Sequence, residues 1–204
     1  MADLTAVLEE CRAVLAAALT EFNETLLTQA VRDALRELNG VTGVLRVSTL
    51  STTGGYELDV TALTQPATIE RVWFPFGDTQ DAPLWIEFEM LTATLLRARE
   101  VELSAGSVAR IFYRSPHTLA GLNEATSTTL TDEQIGEVVA GATAAACLAK
   151  TRELAPQITA NKGVTRTLQE IAKQKRGEFE RALAVYERQA RRVTARTLRR
   201  TGRR

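Results

Sequence analysis

The chain has 204 residues, with 25 basic and 25 acidic side chains, one histidine and two cysteines. An apolar fraction of 45% is enough for one domain or two small ones, and no apolar run reaches the length of a membrane span. Cys11 and Cys147 are too few and too far apart for a disulfide framework, so reduced thiols are expected. The acids Asp3, Glu9 and Glu10 stand where a secretory leader carries positive charge, so none is expected.

Residues 3–19 fit an amphipathic helix, with Leu4, Leu8, Cys11, Leu15 and Leu19 at helical spacing and Asp3 as N-cap. A second helix over 24–39 starts from Asn23. Phe22 is placed to pack on Leu27 as a hydrophobic staple, and Gly40 is the expected stop. From Val44 to Arg114 the period changes to two. Gly54-Gly55 is a hairpin signal. Tyr56, Leu58 and Val60 alternate with Glu57 and Asp59, predicting one buried and one wet face. Strands are also predicted over Ile69–Phe76, Trp85–Met90, Thr92–Leu103 (a strand in preference to a helix) and Ser107–Arg114, together an antiparallel meander. After a break at Ser115-Pro116 and a Thr/Ser-rich loop, a helix restarts at Thr131-Asp132-Glu133 with its acids favourably placed in the first turn. It is built from small residues, and Gly136, Ala140, Gly141 and Ala144 mark a surface that lets a neighbour approach closely. Pro156 and Asn161-Lys162-Gly163 break the chain again. A last helix, 164–199, has Val164, Leu168, Ile171, Phe179, Ala182, Tyr186 and Val193 as its apolar stripe. It needs a partner along that stripe.

The reading is an α+β fold. Residues 1–43 form a helical pair, 44–114 an antiparallel β region, and 115–204 the remaining helices with a basic tail, the helical parts joining in one bundle. The net charge of zero hides an asymmetry. Arg188, Arg191, Arg192, Arg196, Arg199, Arg200, Arg203 and Arg204 lie in a final stretch without any acid. That leaves 17 basic against 25 acidic residues in the rest of the chain. Such a tail suits an acidic protein surface or nucleic acid.

Catalytic motifs are missing. Gly136–Thr143 has the outer spacing of a phosphate-binding loop, but Ala142 stands where the lysine belongs and the pattern is helical. His117, the single histidine, excludes a histidine metal cluster, and no motif pairs it with Cys11 or Cys147. Glu87 and Glu89 read as a solvated strand face. Trp73, Phe74, Phe76 and Trp85 read either as β core or as part of a contact between subunits. The tail lacks the aromatic interleaving of single-strand binders. The chain is not expected to be an enzyme, and no cofactor or metal is expected.

Several segments together resemble a family of tailed-bacteriophage head–tail connector or adaptor proteins. They are LTQAVRDALRELN, GGYELDVTAL, RIFYRSPHTLAGL, ATSTTL, the acidic helix start with GATAAA, and the arginine-rich end. The resemblance implies a virion neck protein forming a symmetric ring, of about twelve copies, beneath the portal. It implies as partners the portal protein, neighbouring copies, a downstream neck or tail protein, and genomic DNA that passes the lumen without sequence readout. It gives no membrane role, and it places the Arg188–Arg204 region on the portal. The alternatives are a nucleic-acid-binding accessory protein using the basic tail, or another neck component such as a tail-completion protein.

Overall fold

A computed structural model describes residues 2–18, 20–63, 66, 68–77, 84–157 and 162–201. The fold is α+β. The chain divides into a helical unit, Met1–Thr42 with His117–Arg204, and a β unit, Gly43–Pro116.

In the helical unit, α1 spans Leu4–Leu15 and α2 spans Glu24–Val41. Each begins on the cap read from the sequence. The Asp3 carboxylate accepts from the Ala6 amide at 2.9 Å, and the Asn23 side chain accepts from the Leu26 amide at 2.7 Å. These side chains satisfy amides that have no partner within the helix. A short 3-10 turn, Ala16–Ala18, follows α1. Gly40 does not stop α2, which runs on to Val41. The glycine that the geometry demands is Gly43, where a Cβ would lie 2.7 Å from the Ser115 carbonyl oxygen.

Helix α3 spans Asp132–Leu154 and opens with a reciprocal cap between Thr131 and Gln134. It packs against α1, α2 and α4, the last spanning Lys162–Thr201. The small residues of α3 follow from this position. From Val138 to Cys147 every residue but Ala145 is buried, so bulk on any side would push a neighbour away. The partners supply the volume instead, through Leu15, Leu27, Leu38, Leu168 and Phe179. The stripe expected on α4 holds at Leu168, Ile171, Phe179 and Tyr186. The Thr/Ser-rich loop before α3 is ordered by its own hydroxyls. Thr129 Oγ1 accepts from the Thr118 amide at 2.8 Å, and Thr128 Oγ1 accepts from the Ala120 amide at 3.0 Å and donates to the Ala2 carbonyl at 2.6 Å.

The β unit contains β1 (Val44–Ser51), β2 (Glu57–Asp59), β3 (Thr68–Phe74), β4 (Leu84–Ile86), β5 (Phe88–Thr92), β6 (Leu95–Ala98) and β7 (Val108–Ser115). All pairings are antiparallel. They do not form the expected meander. One sheet has the order β1-β7-β3-β4 and the other β2-β6-β5. Gly54-Gly55 does not close a hairpin. Strand β1 is paired along its whole length with β7, from Val44 opposite Ser115 to Ser51 opposite Val108. The two glycines, at φ of 98° and 82°, carry the chain across to the other sheet. The segment expected as one strand, Trp85–Met90, is cut at Glu87: β4 pairs with β3 and β5 with β6. Tyr56, expected to face inward with Leu58 and Val60, is exposed. Leu58 and Leu96 from one sheet, and Val72, Phe74, Ile111 and Tyr113 from the other, join one buried cluster.

Candidate functional site

The small-residue surface of α3 is an internal packing device. At Gly141 an added Cβ would lie 3.0 Å from the Ala34 methyl of α2 and 3.0 Å from the Phe179 ring of α4. Ala140 and Ala144 are also buried. Gly136 is not part of the device. It sits on the outward side of the first turns, exposed, with nothing within 4 Å of a built Cβ. The whole Gly136–Thr143 segment is helical, so its amides are committed to the helix and cannot cradle a phosphate.

His117 and the cysteines have structural surroundings. Asn39 accepts from the His117 amide at 2.7 Å and donates to its carbonyl at 3.2 Å. The Gln134 carbonyl oxygen is used by the Thr131 amide, so its NH2 points at His117 Nε2, 3.4 Å away. Nε2 is then the acceptor, and Nδ1 carries the proton toward the Thr129 carbonyl at 3.3 Å. Cys11 and Cys147 are both buried. Burial pushes the Cys11 thiol up to about 11, against a lowering by the Thr143 hydroxyl, and pushes Cys147 up to about 12. Neither is poised as a nucleophile. Among the described residues no cluster of His, Cys, Asp or Glu can hold a metal, and no helix is long and apolar enough to cross a membrane.

The basic tail is carried on α4. Gly141 lies against Phe179, and Glu137 accepts from the Tyr186 hydroxyl at 2.8 Å, so α3 and α4 are antiparallel. On this register the first residue of α3 falls level with about residue 190, and α4 runs roughly 16 Å past it at ~1.5 Å per residue. Arg188 is exposed, its Nε donating to the Ala184 carbonyl at 3.0 Å. The side chains of Arg191, Arg192, Arg196, Arg199 and Arg200, and all of Arg203 and Arg204, lie outside the described residues. Below the overhang, burial holds Glu137 above the usual carboxylate range. The Tyr186 hydrogen bond opposes this and the nearby Glu133 adds to it. Tyr186 is raised in turn, by burial and by its bond to Glu137. Arg176 ties α4 to α2 through Glu37 at 2.9 Å, and bonds Glu180 on its own helix at 2.8 Å.

The aromatic group splits between two faces. Phe74 enters the β core, whereas Trp73, Phe76 and Trp85 gather on the other face of the four-stranded sheet with Phe112. Trp73 and Trp85, directly opposed on β3 and β4, stack at 4.9 Å with planes 3° apart. The Arg110 guanidinium lies 3.5 Å from the Phe76 ring centre, and its buried Nε has no hydrogen-bond partner among the described residues. The sequence reading offered Trp73, Phe74, Phe76 and Trp85 as β core or as part of a contact between subunits, without separating this face from the core. The signal of this face was in β7, where Val108 and Phe112 alternate with Ala109, Ile111 and Tyr113, giving both sides apolar members. Glu87 is exposed, and Glu89 meets Arg99 at 3.2 Å. No protein-family model matches this chain, and no curated protein matches it.

Proposed function

We propose that this chain is a structural, non-enzymatic protein of a tailed bacteriophage, a head-to-tail adaptor that forms a ring under the portal and passes DNA without reading it. The observation that carries this reading is the reach of α4 beyond the packed length of α3. Past about residue 190 the continuous helix carries Arg191, Arg192, Arg196, Arg199 and Arg200 and no acid, which suits docking on an acidic protein surface. The buried thiols, the committed histidine and the internal glycine leave the motifs weighed in the sequence to packing. The resemblance of the ordered motifs to the connector family adds the identity of the partner.

The test is capture of the chain by the portal ring of the same genome, with and without Arg188–Arg204. The full chain should be captured and the truncated one not. The truncated chain should still fold, because Tyr186 and Leu183 of the core precede the cut. Normal capture of the truncated chain would overturn the tail's role. Capture of neither, with steeply salt-dependent binding to any duplex, would favour the nucleic-acid alternative.

A further inference from the structure

Among the described residues, β1 is the longest strand with an open edge. The other end strands of the two sheets are β2 and β4, with three residues each, and β5, whose register with β6 shifts between Met90 and Thr92. Strand β1 has eight residues, no proline and an unbroken register with β7. No strand pairs with its other side among the described residues. Proteins blunt such edges with short strands, prolines, bulges or several charges, and β1 carries a single charge, Arg46.

The ladder shows which groups the edge presents. The Thr52 amide donates to the Ser107 carbonyl at 2.8 Å, so Thr52 faces β7. Counting back by twos, the backbone groups of Leu50, Ser48, Arg46 and Val44 also face β7, and those of Leu45, Val47, Thr49 and Ser51 face outward. They line roughly 20 Å of edge at ~3.3 Å per residue. A groove of about 550 Å³ follows it, lined by Val47, Ser48, Thr49 and Leu50 in succession, with Ala62 and Arg110. Four consecutive residues point to both faces of the sheet, so the groove lies along the strand edge. Its volume is in the range of binding clefts, about 300–1,000 Å³.

The side chains beside the edge tell which strand fits. Those of an added strand alternate next to those of β1. On one face they would meet Leu45, 54% exposed, and Val47, 49% exposed, where apolar side chains fit. On the other they would meet Arg46, which is exposed and pairs with no acid among the described residues, where a carboxylate fits. Neither β1 nor β7 contains an acid, and Arg114 of β7 is already held by Glu70. The β1 strand of a second copy would bring another Arg46 to the same face and no acid, so it suits the edge poorly.

We infer that the open edge of β1 receives an extended segment of a partner protein, hydrogen-bonded to Leu45, Val47, Thr49 and Ser51, with apolar side chains beside Leu45 and Val47 and an acidic one beside Arg46.

The probe is an end-capped synthetic peptide alternating valine and glutamate, titrated onto the full-length chain by fluorescence anisotropy, with amide exchange followed by NMR. The wild type should bind it, less tightly as salt rises, and the amides of Leu45, Val47, Thr49 and Ser51 should gain protection. Val47→Pro removes an outward N–H and no bond to β7, so the sheet should stand and affinity should fall at least about tenfold. Arg46→Glu should lose this peptide and bind one alternating valine and lysine. It changes only an exposed side chain, so it decides the matter should Val47→Pro fail to fold. No binding at millimolar peptide, or binding that neither variant weakens, overturns the proposal. So does protection of the four outward amides in the free chain. Sedimentation velocity then separates cover by a second copy, which depends on concentration, from cover by the chain itself. Peptide binding by a chain that the portal does not capture refutes the adaptor reading and leaves the edge standing. Portal capture of a chain whose edge takes no peptide does the reverse.

Discussion

Gly141→Ala probes the tight packing of α3 between α2 and α4. The added methyl would lie 3.0 Å from the Ala34 Cβ and 3.0 Å from Phe179 Cδ1 and Cε1, whereas carbon atoms prefer about 3.5–4.0 Å. Neither neighbour can step aside. The Ala34 methyl is fixed to the α2 backbone, and the Phe179 ring is among the most fully buried in the chain. Helices α2 and α4 would have to separate from α3. Overpacking of this kind costs about 1–3 kcal/mol, against a gain of about 1 kcal/mol for replacing glycine in a helix. The expected net effect is a loss of about 1 kcal/mol. Gly136→Ala, five residues earlier on the same helix, keeps the gain without the clash, because nothing lies within 4 Å. The two variants should therefore fall on opposite sides of the wild type, about 2 kcal/mol apart. Urea unfolding followed by far-ultraviolet circular dichroism measures both. Phe179→Leu should cost less in the Gly141→Ala background than alone, a coupling of about 0.5 kcal/mol or more. Gly141→Ala as stable as the wild type, or moving together with Gly136→Ala, would refute the packing argument.

Three further outcomes are expected. Asn39→Ala leaves the His117 amide and carbonyl without their side-chain partner, so stability should drop by about 1–3 kcal/mol. Hydrogen exchange at the His117 amide should quicken, and unchanged exchange would count against the assignment. Tyr186→Phe removes the hydroxyl that serves a partly buried carboxylate and should cost about 1–2 kcal/mol at neutral pH. Because the folded state raises the Tyr186 pKa, its contribution is complete below the usual tyrosine value of about 10 and is lost as pH climbs above it. The difference between the two proteins in thermal unfolding should shrink there. The buried thiols behave alike. Their folded values are raised to about 11 and about 12, so stability is whole below the usual thiol range near about 8.5 and declines as pH rises through and beyond it. A Cys11→Ala/Cys147→Ala chain should show a shallower alkaline decline. A thiol reagent that labels the native chain faster than it unfolds would contradict their burial.

The helices were legible because their signals are local. Asp3, Asn23 and Thr131 are caps whose partners lie three residues away, and the stripe on α4 repeats within each turn. The small residues of α3 announced close contact, but not which of them made it. Gly136 and Gly141 differ only in which neighbours surround them. The sheets were less legible because the pairing of Val44 with Ser115 is set by residues far along the chain. A hairpin signal such as Gly54-Gly55 says that the chain turns, not onto what. The break at Glu87 is invisible in an alternation that continues through it, since Ile86 and Phe88 serve different sheets. The arginine run was plain in the sequence, whereas its reach beyond α3 follows from a register that only packing reveals.

The doorway of the β unit has a consequence for how the molecule can change. The unit enters at Val44 and leaves at Ser115, paired neighbours in one ladder. On the helical side, the Asn39 side chain clasps both backbone groups of His117. To the helices, the whole inserted unit is a loop whose ends are already pinned. Closing such a loop depends on its ends, and its length enters only logarithmically. Strands can therefore be lengthened, trimmed or replaced within the insertion while the helical core keeps its packing. The chain is built so that the inserted surface can change while the helical volume stays as it is.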